Sequence, residues 1–191
     1  MCRFADETFS DVHEPTQTVE YRHRFIQTNE FRCKVQVWDC VSSVSKTLMS
    51  SIYKGANAVV LLVDVTNRSS LESVPDWLKE IREYSPAATP VYLVATKIDC
   101  DDWKFTSEEL AEMAAKHELK HWELSSKSGI NVDGLFYKIV ADVKDDTLMA
   151  MEEREQSMAS SQRTTSERLS HYSATTNNEQ QEEEGYCCLI L

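Results

Sequence analysis

Ala58-Val59-Val60-Leu61-Leu62-Val63-Asp64 and Val91-Tyr92-Leu93-Val94-Ala95-Thr96-Lys97-Ile98-Asp99 decide the fold. Each is an uninterrupted apolar run of strand length that stops at polar groups. A run apolar at both parities is what a strand buried on both faces requires, as in a parallel sheet. His121-Trp122-Glu123-Leu124 is a shorter run of the same kind, and Ser125-Ser126-Lys127 follows it. Helical spacing fills the gaps. Leu71, Val74, Leu78 and Ile81 recur at three and four behind Ser69 or Ser70 as N-cap. Thr106 and Glu109 form a capping box ahead of Leu110, Met113 and Ala114. Leu135, Phe136, Ile139, Val140 and Val143 follow Asn131 as N-cap. Alternating strands and helices predict an α/β fold, a mostly parallel sheet flanked by helices.

Upstream, period two on both sides of Gln27-Thr28-Asn29-Glu30 predicts an antiparallel hairpin. Val19, Tyr21, His23 and Phe25 are read as one face of its first strand, and Phe31, Cys33, Val35 and Val37 as one face of its second. The second strand ends at Trp38-Asp39. Ligands of α/β sheets bind beyond the carboxyl ends of the strands. Asp39, Asp64, the 96–99 stretch and the 125–127 stretch all stand at such ends, as a nucleotide site requires.

Composition narrows the function. The 191 residues carry 20 Lys and Arg against 32 Asp and Glu, a net charge of −12. A net negative chain is a poor candidate for sequence-independent nucleic-acid binding, which needs Lys and Arg against phosphate, and no nucleic-acid partner is expected. No apolar run approaches the ~20 residues of a membrane span, and no signal peptide opens the chain. Cys2, Cys33, Cys40 and Cys100 stand singly, without the paired spacing of a zinc site. The five histidines show no ligand spacing, and Trp77, Trp103 and Trp122 are read as packing residues.

From about Met151 the chain turns polar and aperiodic. Too few large apolar residues remain to offset the entropy of ordering. Residues 1–147 are therefore expected as one domain, 148–186 as a disordered tail and 187–191 as a modification motif. Cys187-Cys188-Leu189-Ile190-Leu191 closes on the C-a-a-X pattern of prenylation, whose final Leu favours geranylgeranyl. With no basic cluster beside it, stable anchoring needs lipid on both cysteines.

These features together resemble the Rab proteins of the Ras-like small GTPases, over residues 1 to about 147 and at the double-cysteine end. Thr96-Lys97-Ile98-Asp99 resembles the guanine motif N/T-K-x-D, and Ser125-Ser126-Lys127 resembles S-A-K. Lys34 to Asp39, Ile52-Tyr53-Lys54-Gly55-Ala56, Thr18-Val19-Glu20-Tyr21 and Arg3-Phe4-Ala5-Asp6-Glu7-Thr8-Phe9 resemble further family stretches. The resemblance implies a P-loop-GTPase-like fold and a GTP/GDP site. In it the Asp99 carboxylate accepts hydrogen bonds from guanine and the Lys97 stem lies along the base. A Ser126-region amide reaches the guanine oxygen. The resemblance also implies Mg²⁺ near Thr16 and Asp39, and an effector patch of Tyr21, Trp38 and Ile52, the last standing where the family has Tyr. It implies regulation of vesicle traffic on the cytoplasmic face of intracellular membranes. The partners implied are effectors, a prenylation escort protein and a geranylgeranyltransferase.

The departures are as specific as the matches. The only glycines five apart, Gly129 and Gly134, precede Leu135-Phe136 rather than Lys and Ser/Thr. The phosphate loop G-x-x-x-x-G-K-S/T and the family's first strand are thus missing from this sequence. That strand normally lies between the strands ending at Trp38 and Asp64, so both are expected to lose a partner on one edge. Asp39-Cys40-Val41-Ser42-Ser43-Val44 stands in place of D-T-A-G-Q-E, to within one position. No residue takes the catalytic role of the water-orienting Gln, and slow or absent hydrolysis follows. Two readings of the start stay open, a true short product and an internal methionine, and the start within a recognisable helix favours the second, or a splice form. A rival function also stays open: a prenylated binding module that engages escort proteins or effectors without nucleotide.

Overall fold

In a computed structural model of the chain, the described residues are 1–12, 14–27, 32–40, 45–145 and 185–190. The elements run α1 (Cys2–Asp6), β1 (Glu20–Gln27), β2 (Arg32–Asp39), α2 (Lys46–Lys54), β3 (Ala58–Asp64), α3 (Arg68–Glu72), α4 (Val74–Tyr84), β4 (Val91–Thr96), α5 (Ser107–Lys116) and β5 (Lys120–Glu123). A helix over residues 132–145, α6, follows, and β6 (Gly185–Ile190) comes last. One six-stranded sheet has the order β1-β2-β6-β3-β4-β5. The β3–β4 and β4–β5 pairs are parallel, and among the described residues only the β1–β2 hairpin is antiparallel.

Strand periodicity divides the core in two. Ala58, Val60, Tyr92 and Val94 pack with Phe4 of α1 and with Leu135, Phe136 and Ile139 of α6 on one face. Val59, Val63, Leu93 and Ala95 pack with α2, α3, α4 and α5 on the other, through Tyr53, Leu71, Leu78 and Leu110. β4 is buried from Tyr92 to Ala95, as its unbroken apolar run requires. β3 departs from that expectation at Leu62, which is 45% exposed. β6 pairs with β3 only at Ala58 and Val59, so it does not cover the edge near Leu62.

The hairpin has the predicted pairing, and its first strand turns the Tyr21-His23-Phe25 side outward. Ile26 is the buried residue of β1, while Tyr21 and Phe25 are exposed. Register sets Ile26 beside Cys33 and Arg24 beside Val35, so the arginine side of β1 shares the inward face of β2. A shift of one residue inverts a strand's facing. Polar partners hold this choice. Arg24 donates to the Phe4 carbonyl at 3.0 Å and to Asp133 at 2.8 Å, and Arg22 pairs with Asp6 at 3.1 Å. The turn residues Thr28 to Phe31 lie outside the described residues.

Helix caps follow local chemistry. Thr106 and Glu109 form the expected capping box of α5. The 71–81 spacing covers two helices rather than one, with Ser73 between them and Pro75 in the first turn of α4. The cap of α3 is Asn67, which accepts from the Ser69 amide at 3.1 Å, and not Ser69 or Ser70. Ser70 instead ties β3 to this turn, accepting from the Asp64 amide at 3.0 Å. Asn131 does precede α6, but its side chain donates to the Glu123 carbonyl at 2.9 Å. Trp77, read as a packing residue, is 39% exposed on α4.

The largest correction concerns the two open edges. β6 lies between β2 and β3, parallel to both. Six residues of β2, Cys33 to Trp38, stand in register with Gly185 to Ile190. The strand starts two residues inside the stretch expected to be disordered. The rest of that stretch, and Leu191, lie outside the described residues. Gly185-Tyr186-Cys187-Cys188-Leu189-Ile190 has neither charge nor proline, which is the composition of a central parallel strand.

Candidate functional site

The carboxyl ends of β3, β4 and β5 bring the 96–99 and 125–127 stretches together. Ser125 is fully buried. Its Oγ donates to Asp99 Oδ1 at 2.5 Å and accepts from the Ser128 amide at 3.0 Å. Its own amide donates to the Ile130 carbonyl at 3.0 Å, and its carbonyl accepts from the Gly129 amide at 2.9 Å. Gly129 closes this turn at φ 80°, a left-handed conformation open to glycine at little steric cost. The Ile98 amide donates to the Leu124 carbonyl at 3.4 Å, joining the two stretches through the backbone. Asp99 is exposed, so one carboxylate oxygen is held by a buried hydroxyl at the protein surface.

Lys97 breaks the strand at φ 63°, a left-handed conformation that costs about 1 kcal/mol in a residue with a Cβ. Its Nζ pairs with Asp64 Oδ2 at 2.6 Å. Thr66 donates to Asp64 Oδ1 through its amide at 2.9 Å and its hydroxyl at 2.7 Å. Partial burial pushes the Asp64 carboxyl up, but the Lys97 and Thr66 hydrogen bonds outweigh it. The net result lies below the ordinary carboxylate value. Thr96 Oγ1 donates to the Val63 carbonyl at 2.9 Å, clamping the ends of β3 and β4.

Arg3 ties α1 to this loop. Its Nε donates to the Ser126 carbonyl at 2.6 Å, one Nη to the Lys127 carbonyl at 2.8 Å and the other to the Glu7 carbonyl at 3.0 Å. The fixed fork of a guanidinium suits adjacent carbonyls. Lys127 reaches Asp11 at 3.0 Å, and that hydrogen bond raises its pKa.

The other end of the rim is sparser. Thr16 Oγ1 donates to Asp39 Oδ2 at 3.1 Å, bringing together the two residues expected near Mg²⁺. A hydroxyl and a carboxylate are oxygen donors of the type that ion takes, so their chemistry fits it. Val41 to Val44, including Ser42 and Ser43, lie outside the described residues. Tyr21 and Trp38 meet with ring centroids 5.0 Å apart, and the Trp38 indole N–H is buried with no hydrogen-bond partner among the described residues. Ile52 is a half-buried residue of α2 packed against the second core cluster. Cys187 and Cys188 lie in β6, in register with Val35 and Gln36.

A surface concavity lined by Trp103 to Glu109 includes none of these residues. The sequence reading missed the roles of Arg3 and of the Lys97–Asp64 pair. Both are long-range contacts, and only the position of Asp64 at a strand end hinted at the second. Among the described residues no helix is long and apolar enough to cross a membrane.

The Ras family model matches residues 1–145. The rat Ras-related protein Rab-13 (Rattus norvegicus) is 31% identical over 143 residues, which span 74% of this chain and 70% of that protein. The bovine Ras-related protein Rab-8A (Bos taurus) is 29% identical over 144 residues, with the same coverage.

Proposed function

The chain belongs to the Ras family, as a Rab-like small GTPase, and on that premise we propose that it is a guanine-nucleotide-binding regulator of vesicle traffic. One observation carries the assignment of the site. Asp99 is exposed, with its Oδ1 held by the hydroxyl of buried Ser125. A fixed acceptor pair suits the ring nitrogen and exocyclic amine of guanine, which adenine does not offer. Thr96 and Lys97 shape one wall, and Ser125, Ser126 and Lys127 the other. Thr16 and Asp39 would hold Mg²⁺, which when bound neutralises phosphate charge.

The same reading carries the finer points. Ser42 and Ser43 stand where the family has Gly and the water-orienting Gln, so hydrolysis is expected to be slow. Nucleotide binding is expected to be weakened, because the 191 residues contain no G-x-x-x-x-G-K-S/T cradle. Exposed Tyr21 and half-buried Trp38, whose rings meet, would form the effector patch, while Ile52 packs against the second core cluster. Cys187 and Cys188 are the acceptors for geranylgeranyl, delivered with an escort protein and a transferase. Lipid on both would hold the protein at cytoplasmic membrane faces.

Calorimetry with GDP and GTP in the presence of Mg²⁺ tests the site. The expected result is measurable binding that falls at least about a hundredfold in Asp99→Asn, because guanine donors then face an unmatched amide. ADP is expected not to compete. No binding by a cooperatively folded chain would overturn this reading. It would favour a prenylated module that engages partners without nucleotide.

A further inference from the structure

We propose that the outward face of the β1–β2 hairpin is a docking stripe for an acidic segment of a partner protein, one that sets apolar side chains between its carboxylates. The rings of Tyr21 and Trp38 form one end of the stripe. His23, Phe25, Lys34 and Arg32 carry it toward the turn. Only the Tyr21–Trp38 end rests on the proposed effector patch.

Register builds the stripe. Tyr21 stands opposite Trp38, His23 opposite Gln36, Phe25 opposite Lys34 and Gln27 opposite Arg32. Side chains alternate across a strand, so these residues share one face. The other face carries Ile26, Cys33, Val35 and Val37, which are buried. On the stripe the rings meet in series. The Tyr21 centroid lies 5.0 Å from that of Trp38 and 5.8 Å from that of His23, and His23 meets Phe25 edge-on at 6.3 Å. The Arg32 guanidinium covers Phe25, its carbon 4.5 Å from the ring centroid. Tyr21, His23 and Phe25 are all exposed, and β1 is the edge strand of the sheet. Single exposed apolar residues are ordinary, but neighbouring ones mark a contact surface.

Charge selects the occupant. The chain carries a net charge of −12, yet the charged residues of β1 and β2 on this face are Lys34 and Arg32. Glu20 and Asp39, the carboxylates of the two strands, alternate onto the opposite face. Arg22 and Arg24 lie there too, and Asp6, Glu7 and Asp133 pair with them. Lys34 and Arg32 instead flank Phe25. A guanidinium stacked on a ring keeps its in-plane donors for a carboxylate. Carboxylates of the partner would meet the two cations, and its apolar side chains would meet Tyr21 and Phe25, residue types that anchor protein interfaces. A lipid surface fits less well. The stripe is two strands wide, about 10 Å, and the negative charge of the chain opposes approach to an anionic membrane.

The test selects random dodecapeptides from a display library on the full chain and measures the affinity of enriched peptides by fluorescence anisotropy. Enriched sequences are expected to intersperse Asp or Glu with apolar residues, and their binding to weaken as salt rises. Phe25→Ser and Lys34→Glu are each expected to weaken binding at least about tenfold. Both positions lie on the outward face, and circular dichroism checks that the variants fold. A peptide with Lys in place of Glu is expected to bind Lys34→Glu better than it binds the unaltered chain, which an unfolded variant could not do. Selection of peptides without acidic residues, or equal binding by both variants, would overturn the stripe. Loss with Tyr21→Ala and Trp38→Ala alone would keep the two-ring patch and overturn its extension. Loss with Phe25→Ser and Lys34→Glu alone would support the extension and overturn the two-ring patch. Lys34-dependent binding to phosphatidylserine vesicles, with no peptide enriched, would overturn the protein partner in favour of a membrane.

Discussion

Ser125 and Thr16 are both hydroxyl residues bonded to an aspartate on the same rim of the sheet, yet their surroundings differ. Ser125 is fully buried, and its side chain and backbone are bonded to Asp99, Ser128, Gly129 and Ile130. Thr16 is half-buried in a loop and holds Asp39 through one longer contact of 3.1 Å. The first arrangement exists before any ligand arrives, so recognition of a base costs little reordering there. The second is a contact that a cation can replace, because both oxygens can turn to a metal. A protein of this family must recognise one base in two phosphate states. In the proposed reading the fixed Ser125 end would read the base and the loosely held Thr16 end the phosphates.

The sharpest way to break the comparison is to remove the same atom at both ends. Ser125→Ala leaves the Ser128 amide without its buried acceptor and Asp99 without its anchor. It is expected to cost about 1–3 kcal/mol of stability. Thr16→Ala removes one part-exposed bond and is expected to cost less than about 1 kcal/mol. Urea denaturation of both variants measures the difference. Equal losses would mean that the 125–130 turn is no more fixed than the Thr16 loop.

A smaller effect is expected from the clamp that adds α1 to the rigid end. Arg3→Ala deletes the donors to the Ser126 and Lys127 carbonyls and is expected to cost about 1–2 kcal/mol. Deuterium exchange of the 126–129 amides should quicken, while that of β4 should not. Arg3→Lys should recover only part of the loss, since an ammonium lacks the planar fork that spans adjacent carbonyls. Full recovery would mean that charge alone holds α1 in place.

The rigid end was largely legible in the sequence and the rest was less so. The apolar runs at 58–63 and 91–95 announce their strands because burial on both faces leaves little choice of residue. Thr106 and Glu109 announce a helix start because the capping box is local. The alternation in β1 does not by itself say which face is inward, since Tyr21, His23 and Phe25 are its more apolar side. They are outward because Arg22 and Arg24 have partners on the α1 side, and those partners are distant in sequence. β6 was hidden for a related reason. Residues 187–191 read as a modification motif and Gly185-Tyr186 as tail, and only their pairing with β2 and β3 makes residues 185–190 a strand. Arg3, Asp64 and Lys97 are ordinary charged residues until the fold brings their partners near.

The smallest expected effect concerns the Asp64–Lys97 pair, which joins the end of β3 to the residue that follows β4. The Asp64 carboxyl lies below its usual value of 3.8 in the folded chain, held there by Lys97 and Thr66 against the opposing effect of burial. A depressed carboxyl binds its proton less readily folded than unfolded. Its contribution is therefore full above the unfolded value, near pH 4 and higher, and is lost as pH falls through the folded value. Lys97 is 59% exposed, so solvent screens the pair and its worth is at most about 0.5–1 kcal/mol. Lys97→Met is expected to flatten the acid limb of stability between about pH 5 and pH 3 by no more than that, measured by urea denaturation across the range. An unchanged acid limb would assign the depression to the two Thr66 hydrogen bonds instead. Lys97 would then be held by its backbone turn alone, with its ammonium free to leave Asp64 for a ligand without loss of stability.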